Sequence, residues 1–171
     1  MKKTVFVING SGGVGKDTLC EMAANRFKVC NVSSITPIKE IALLCGWDGE
    51  KTDRARKFLS DLKSLTTDFN DFPTEWIYKK YLDFLNSDDD IMFVHIREGA
   101  EIEKFVKKTE GKAKTLLIRG GERFAKTRTG AYGNASDDLV ENYNYDYYFV
   151  NDKPLEETEE LFCSFIAKIT E

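Results

Sequence analysis

Apolar residues along this chain follow two rhythms, short unbroken runs and stripes spaced three and four apart, and the order of the rhythms predicts an architecture. Val5-Phe6-Val7-Ile8 is the first run, closed by the polar Asn9. Leu19, Met22, Ala23 and Phe27 then recur at helical spacing, which predicts a helix over 16–28, and residues 29–32 form a second short run. Thr36-Pro37 reads as a helix start with proline in the first turn, continued by Ile38, Ile41, Ala42 and Leu44 until Cys45-Gly46-Trp47-Asp48-Gly49 interrupts it. Two helical stripes follow in succession: Ala55, Phe58, Leu59, Leu62, Leu65 and Phe69, then, beyond Asp71-Phe72-Pro73, Trp76, Ile77, Tyr81, Leu82 and Leu85.

Residues 91–96 are the most apolar run of all, as expected for a central parallel strand buried on both faces. A helix over 98–109, strands over 115–118 and 145–150, and a last helix over 154–169 complete the pattern; Leu161, Phe162, Phe165 and Ile169 are expected to face inward. Strands alternating with helices predict a single α/β domain over 1–171, with a five-stranded parallel sheet and helices on both faces. Ligands of such sheets bind beyond the carboxyl ends of the strands, and polar residues cluster where those ends should lie.

The chemistry is most explicit after the first run. It empties into Gly10-Ser11-Gly12-Gly13-Val14-Gly15-Lys16-Asp17-Thr18, which matches G-x-x-x-x-G-K-[ST] except at Asp17. Glycines at 10, 12, 13 and 15 let successive backbone N–H groups turn toward an anion, and the helix that follows adds its positive end, so Gly10, Gly12, Gly13, Val14, Gly15, Lys16, Asp17 and Thr18 form a phosphate cradle. Lys16 is the mobile charge that follows the β- and γ-phosphates of ATP. Asp17 stands where a hydroxyl ordinarily meets Mg²⁺; its carboxylate can take that metal directly or through water, with Thr18 as a second candidate. The pattern predicts a P-loop NTPase fold.

Charge and cysteine usage narrow the partners. Twenty-five basic residues against 29 acidic ones leave a net charge of −4, which argues against a generally nucleic-acid-binding surface. The four apolar residues after Met1-Lys2-Lys3-Thr4 are too few for a signal-peptide core or a membrane span, so a cytoplasmic protein is expected. Cys20, Cys30, Cys45 and Cys163 are scattered without a C-x-x-C pair and read as reduced thiols. Oligomeric state is not written in the sequence.

Within this acidic chain, Lys112, Lys114, Arg119, Arg123, Lys126 and Arg128 face the single acid Glu122. Such a local field suits phosphoryl transfer, and Arg119, Arg123 and Arg128 are candidates for catalytic cations on a glycine-bearing lid over about 119–142; a solvated basic loop is the plain alternative. Arg97, just past the central strand, is the candidate clamp for an acceptor phosphate, against a surface ion pair with Glu98 or Glu101. His95 reads as a hydrogen-bonded rim residue more readily than as a base. Arg54, Arg56 and Lys57 lie on a polar helix face within reach of an acceptor or simply in solvent. Asn151-Asp152, at the end of the fifth strand, are candidates for contact with the adenine base or for a turn.

With these residues in view the chain resembles the phage-type deoxynucleoside monophosphate kinases, within the P-loop nucleoside monophosphate kinases. The resemblance rests on Gly15-Lys16-Asp17-Thr18, on Pro37-Ile38-Lys39, on Arg97 with Glu101-Ile102-Glu103, and on Asn134-Ala135-Ser136-Asp137-Asp138 before Tyr145-Asp146-Tyr147-Tyr148 and Asn151-Asp152. It implies an enzyme moving the γ-phosphoryl group of ATP, with Mg²⁺, onto a nucleoside or deoxynucleoside monophosphate, and makes Asp17 a family trait. Two departures stand out. His95-Ile96-Arg97 replaces the usual Asp-Val-Arg, which removes a carboxylate near the metal, and Asn134-Ala135-Ser136-Asp137 replaces His-x-Ser-Glu. Kinases of other phosphorylated metabolites and a nucleotide-binding regulator without turnover are the alternatives.

Overall fold

The computed structural model describes residues 2–121 and 139–171. Five strands, β1 (Thr4–Asn9), β2 (Val29–Ser33), β3 (Ile91–His95), β4 (Ala113–Gly120) and β5 (Tyr147–Asn151), form one sheet in the order β2-β3-β1-β4-β5, every pair parallel. Six helices are described: α1 (Lys16–Ala24), α2 (Thr36–Leu44), α3 (Asp53–Asn70), α4 (Phe72–Leu85), α5 (Gly99–Lys108) and α6 (Leu155–Ile169). The α/β fold expected from the alternating rhythms is thus present, with β1 and its phosphate loop at the centre of the sheet.

Side-chain alternation divides the core in two. Val5 and Val7 of β1, with Met92 and Val94 of β3, meet α4 and α5 through Ile77, Tyr81, Phe84, Ile102 and Phe105. Phe6 and Ile8, with Ile91 and Phe93, meet α1 and α6 through Leu19, Ala23, Phe162 and Ile166. Because the pleat turns successive residues to opposite faces, a run apolar at every position is what a strand covered on both sides requires. Aromatic rings tie the second layer together: Phe6 stacks on its register partner Phe93 at 6.0 Å, and Phe162 of α6 lies 6.4 Å from Phe93 and 5.0 Å from Phe149.

Three element details differ from the expectation, each for a reason in the tertiary structure. Leu161 is 47% exposed, whereas Thr158, Phe162, Cys163 and Ile166 are buried. The apolar stripe of α6 is wide enough for two settings, and contact of Phe162 with Phe93 and Phe149 selects the one that turns Leu161 outward. α1 ends at Ala24 instead of residue 28; Asn25 and Arg26 leave the helix and bond to Glu159 and Glu160 of α6. β4 is longer at both ends than the apolar run, because Ala113 and Lys114 pair with β1 at its start and Arg119 and Gly120 pair with Val150 and Asn151 of β5 at its end, which carries the polar Arg119 into the strand.

α3 carries the largest surprise. Of its apolar stripe only Ala55 is buried, while Phe58, Leu65 and Phe69 are 36%, 67% and 84% exposed. α3 and α4 meet at Asp71, whose φ of 52° ends one helix and starts the other. Lys104 reaches across to its carboxylate.

The phosphate loop is seated by close backbone packing. A Cβ on Gly10, at φ +152°, would lie 2.5 Å from the Ile118 carbonyl oxygen of β4 and 3.0 Å from the Val14 side chain. Gly10→Ala should therefore destabilise the fold by about 2 kcal/mol or more, since neither strand nor loop can retreat. Urea unfolding checks this; a variant as stable as the wild type would mean that the loop is not pressed on β4.

Candidate functional site

Beyond the carboxyl ends of β1, β2 and β3 lies a cleft of about 1180 Å³, bounded by the phosphate loop on one side and by α2 and α3 on the other. The loop leaves β1 at Asn9, turns at Gly10 and hands over to α1 at Gly15, whose φ of 85° is left-handed and suits glycine. Lys16, the first residue of α1, sends its ammonium back over the loop to the carbonyls of Gly10 at 2.7 Å and Ser11 at 3.2 Å. Gly12, Gly13, Lys16 and Asp17 all line the cleft. Thr18 is exposed and is not among the lining residues, while Val14 is buried beneath the loop.

Asn9 holds this assembly and was not singled out by the motif. Only 2% exposed, it accepts the Gly10 N–H at its Oδ1 and donates through Nδ2 to the Arg97 carbonyl at 2.9 Å and to the Tyr145 hydroxyl at 2.8 Å. Tyr145 donates its own O–H to the Val140 carbonyl; burial pushes its phenol up to about 12, so it remains a donor at neutral pH. One carboxamide thereby fixes the start of the loop and the backbone that presents Arg97. The signal in the sequence was a polar residue closing an apolar run.

Asn151 supports the loop from the other side. It is buried, its amide donates to the Val14 carbonyl at 2.9 Å and its own carbonyl accepts the Gly121 N–H. Its amide thus bears on the glycine loop through the Val14 carbonyl.

At the rim, Arg97 is exposed and lines the cleft beside Glu98. Both acids expected as its ion-pair alternatives have other partners: Glu98 takes Lys63 at 2.6 Å, and Glu101 takes Lys104 and the Thr74 hydroxyl. His95 ends β3 with Nε2 2.7 Å from the Asn31 oxygen and Nδ1 3.8 Å from the Asp17 carboxylate. The Asn31 contact places the proton on Nε2 of the neutral ring and leaves Nδ1 toward Asp17.

The far wall is basic. Lys39 of α2, Lys51, and Arg56, Lys57 and Lys63 of α3 join Lys16 and Arg97 around the cleft, seven cationic side chains against the carboxylates of Asp17, Asp53 and Glu98. In a chain of net charge −4 this is a concentrated positive field. Sequence reasoning had Arg56 and Lys57 as candidates but missed Lys51 and Lys63, because a lysine on a helix says nothing about which wall it will face. Arg54 lies outside the cleft, in a smaller pocket with Trp47 and Phe58.

Arg119 is also outside the cleft lining. Its guanidinium grips Glu141 with both arms, the shortest contact 2.8 Å, and lies 4.7 Å from the Tyr148 ring. Arg123, Arg128 and the 134–138 motif fall outside the described residues, as does most of the basic segment.

Burial holds the His95 imidazolium pKa below its ordinary 6.5, aided by Lys16 and opposed by the exposed Asp17. The folded protein thus resists a proton that the unfolded chain accepts, so this contribution to stability is complete above 6.5 and is lost as pH falls below it. The stability of the wild type should accordingly decline from about pH 7 to about pH 5 more steeply than that of His95→Gln, whose carboxylates are the same. Urea midpoints across that range check it, and parallel profiles would place the ring in solvent.

Comparison with known proteins bears on the fold. No protein-family model and no curated protein sequence matches the chain. Among solved structures it is similar to a gluconokinase from Sinorhizobium meliloti 1021 (TM-score 0.54, 16% identity, covering 98% of this chain and 93% of that one). It is similar also to the tunicamycin resistance protein of Deinococcus radiodurans (0.58, 10%, 96% of each chain) and to the shikimate kinase of Bacteroides thetaiotaomicron (0.53, 13%, 97% of each). Full-length overlap at such low identity is a likeness of backbone alone, and together with the glycine loop between β1 and α1 it shows that this chain has the P-loop kinase fold.

Proposed function

We propose that this protein is a phosphotransferase that moves the γ-phosphoryl group of ATP onto a small acceptor already bearing phosphate. The observation that carries the reading is the single cleft that joins the Lys16 loop to Arg97 and a cationic far wall. The gluconokinase and shikimate kinase among the structural neighbours support phosphoryl transfer, and the motif resemblance favours a nucleoside or deoxynucleoside monophosphate as acceptor. Another phosphorylated metabolite is the second reading, favoured by Lys39 and Lys51, which line the cleft in addition to Arg97 and Lys63.

The donor half follows from the loop. Lys16 can exchange the carbonyls of Gly10 and Ser11 for phosphate oxygens to follow the γ-group, while backbone N–H groups and the start of α1 hold the β-phosphate. Among the described residues no three metal-binding side chains converge, so protein ligation of Mg²⁺ would come from Asp17, with phosphate oxygens and water filling the octahedron. That donor set fits the ion, which when bound neutralises charge on the transferred group. Asp17 is 90% exposed at the cleft, free of the loop packing.

On the acceptor side, Arg97 can grip a phosphate with two parallel N–H donors, from a backbone that Asn9 already fixes. Lys63, held by Glu98, and the α3 cations surround the same space and draw anions in from solvent. A phosphate oxygen is a nucleophile without loss of a proton, so such an acceptor needs positioning more than a base, in keeping with a neutral His95 where related loops carry a carboxylate. Arg119, held by Glu141 outside the cleft lining, and Arg123 and Arg128, outside the described residues, carry no part of this proposal.

Product analysis with ATP, Mg²⁺ and a panel of nucleoside monophosphates and other phosphorylated metabolites tests the reading. ADP should form with at least one acceptor; ATP binding without ADP on any of them would instead identify a regulatory binder. Lys16→Ala should weaken ATP binding and lower kcat by about 10²-fold or more. Arg97→Ala should spare ATP affinity and raise the acceptor's KM, with incomplete rescue by lysine, because an ammonium lacks the two-pronged contact. If Arg97→Ala lowers ATP affinity as Lys16→Ala does, with the acceptor's KM unchanged, Arg97 belongs to the donor.

A further inference from the structure

His95 stands on the α1 side of the sheet, the face that Phe93 two residues earlier also takes. Asn31, the register partner of Phe93 on β2, shares that face, and its Oδ1 lies 2.7 Å from His95 Nε2. Cys20 of α1 lies 3.9 Å from the same nitrogen. The protein thus takes up one edge of the ring, and the proton on Nε2 points at Asn31. Nδ1 is left as an electron-pair donor directed at Asp17, which stands three residues before Cys20 on the same side of α1.

Nδ1 and the Asp17 Oδ1 are 3.8 Å apart, beyond hydrogen-bond reach, and both present lone pairs. A six-coordinate divalent ion with bonds of about 2.1 Å sets neighbouring donors about 3 Å apart and opposite ones about 4.2 Å apart. The separation in this structure falls between the two, and the exposed Asp17 carboxylate can turn about its side-chain torsions. His95 by contrast is mostly buried and fixed by Asn31, the arrangement in which an N–H···O bond at one imidazole nitrogen orients the other toward a metal. Both residues line the cleft with Gly12, Gly13 and Lys16 of the phosphate loop, where phosphate oxygens can complete the shell of an ion.

The donor pair is selective. Mg²⁺ takes oxygen ligands and gives up water reluctantly, whereas imidazole nitrogen suits the first-row transition ions, whose affinity rises from Mn²⁺ to Co²⁺. We propose that His95 Nδ1 is a ligand, beside Asp17, of the divalent ion at the phosphate loop, and that this site favours a first-row transition ion over Mg²⁺. The inference rests on the phosphate-binding reading of the cleft and adds to it the class of ion.

Pulsed electron paramagnetic resonance of Mn²⁺ on the full chain, without added histidines, tests it. Inorganic tripolyphosphate serves as the anion because it contains no nitrogen, and His95 is the chain's only histidine, so an imidazole signal has one source. The wild type should show directly ligated ¹⁴N, replaced by ¹⁵N when histidine alone is labelled. His95→Gln, checked for folding by circular dichroism, should bind Mn²⁺ without that coupling. Displacement of the Mn²⁺ by Co²⁺ and by Mg²⁺ gives the preference: the excess of Mg²⁺ needed over Co²⁺ should be about tenfold greater in the wild type than in His95→Gln, since tripolyphosphate is common to both. Mn²⁺ that binds with tripolyphosphate but without the label-sensitive coupling overturns the proposal and leaves the phosphate site standing. An excess of Mg²⁺ over Co²⁺ that His95→Gln leaves unchanged overturns the preference. If Mn²⁺ and tripolyphosphate do not bind the chain together at all, the proposal falls along with the phosphate-site reading.

Discussion

The buried carboxamide of Asn9 is the joint on which the site depends. Its oxygen and nitrogen face in opposite directions, so one side chain can bond a donor on the phosphate loop and an acceptor on the β3 exit. A carboxylate would lack the N–H donors that reach the Arg97 carbonyl, and an apolar side chain would remove the partners of both that carbonyl and the Gly10 N–H, at about 1 to 3 kcal/mol each. Because the Tyr145 hydroxyl joins the same network, the segment that precedes β5 is also referred to the loop. Among the described residues no buried side-chain polar atom lacks a partner, which makes this a rigid frame. Precision at the cleft follows from it: Lys16 and Arg97 move on side-chain torsions, while the backbones that carry them are held.

Charge is distributed on the same logic. The chain is acidic as a whole, yet positive side chains converge beyond the ends of β1, β2 and β3, where α1 begins and α2 and α3 form the opposite wall. Elsewhere lysines and arginines are spent on exposed ion pairs, such as Arg26 with Glu160 and Lys108 with Glu75, which contribute little to stability but keep the surface mixed. The aromatic packing of Phe6, Phe93, Phe149 and Phe162 carries α6, and through it the support beneath α1. His95 marks where the two demands meet. A carboxylate there would stand beside Asp17 at the end of a buried strand; a neutral imidazole held by Asn31 fills the place without adding negative charge.

What the sequence determined by itself was local: periodicity set the type and order of the elements, and the spacing of Gly10, Gly15 and Lys16 marked the glycine loop between β1 and α1 as the candidate anion cradle, because a loop of that kind is made by consecutive residues and needs no distant partner. Tertiary structure decided what depends on rotation and on neighbours. The setting of α6 came from Phe162 against Phe93, the length of β4 from its two backbone partners, and the sorting of α3 into a cationic flank and an apolar one from the cleft that it walls. Asn9, Lys51 and Lys63 entered the site for the same reason. Each is an ordinary residue whose role arises when strands far apart in sequence are hydrogen-bonded side by side, and no periodicity along one segment records where that pairing will place it.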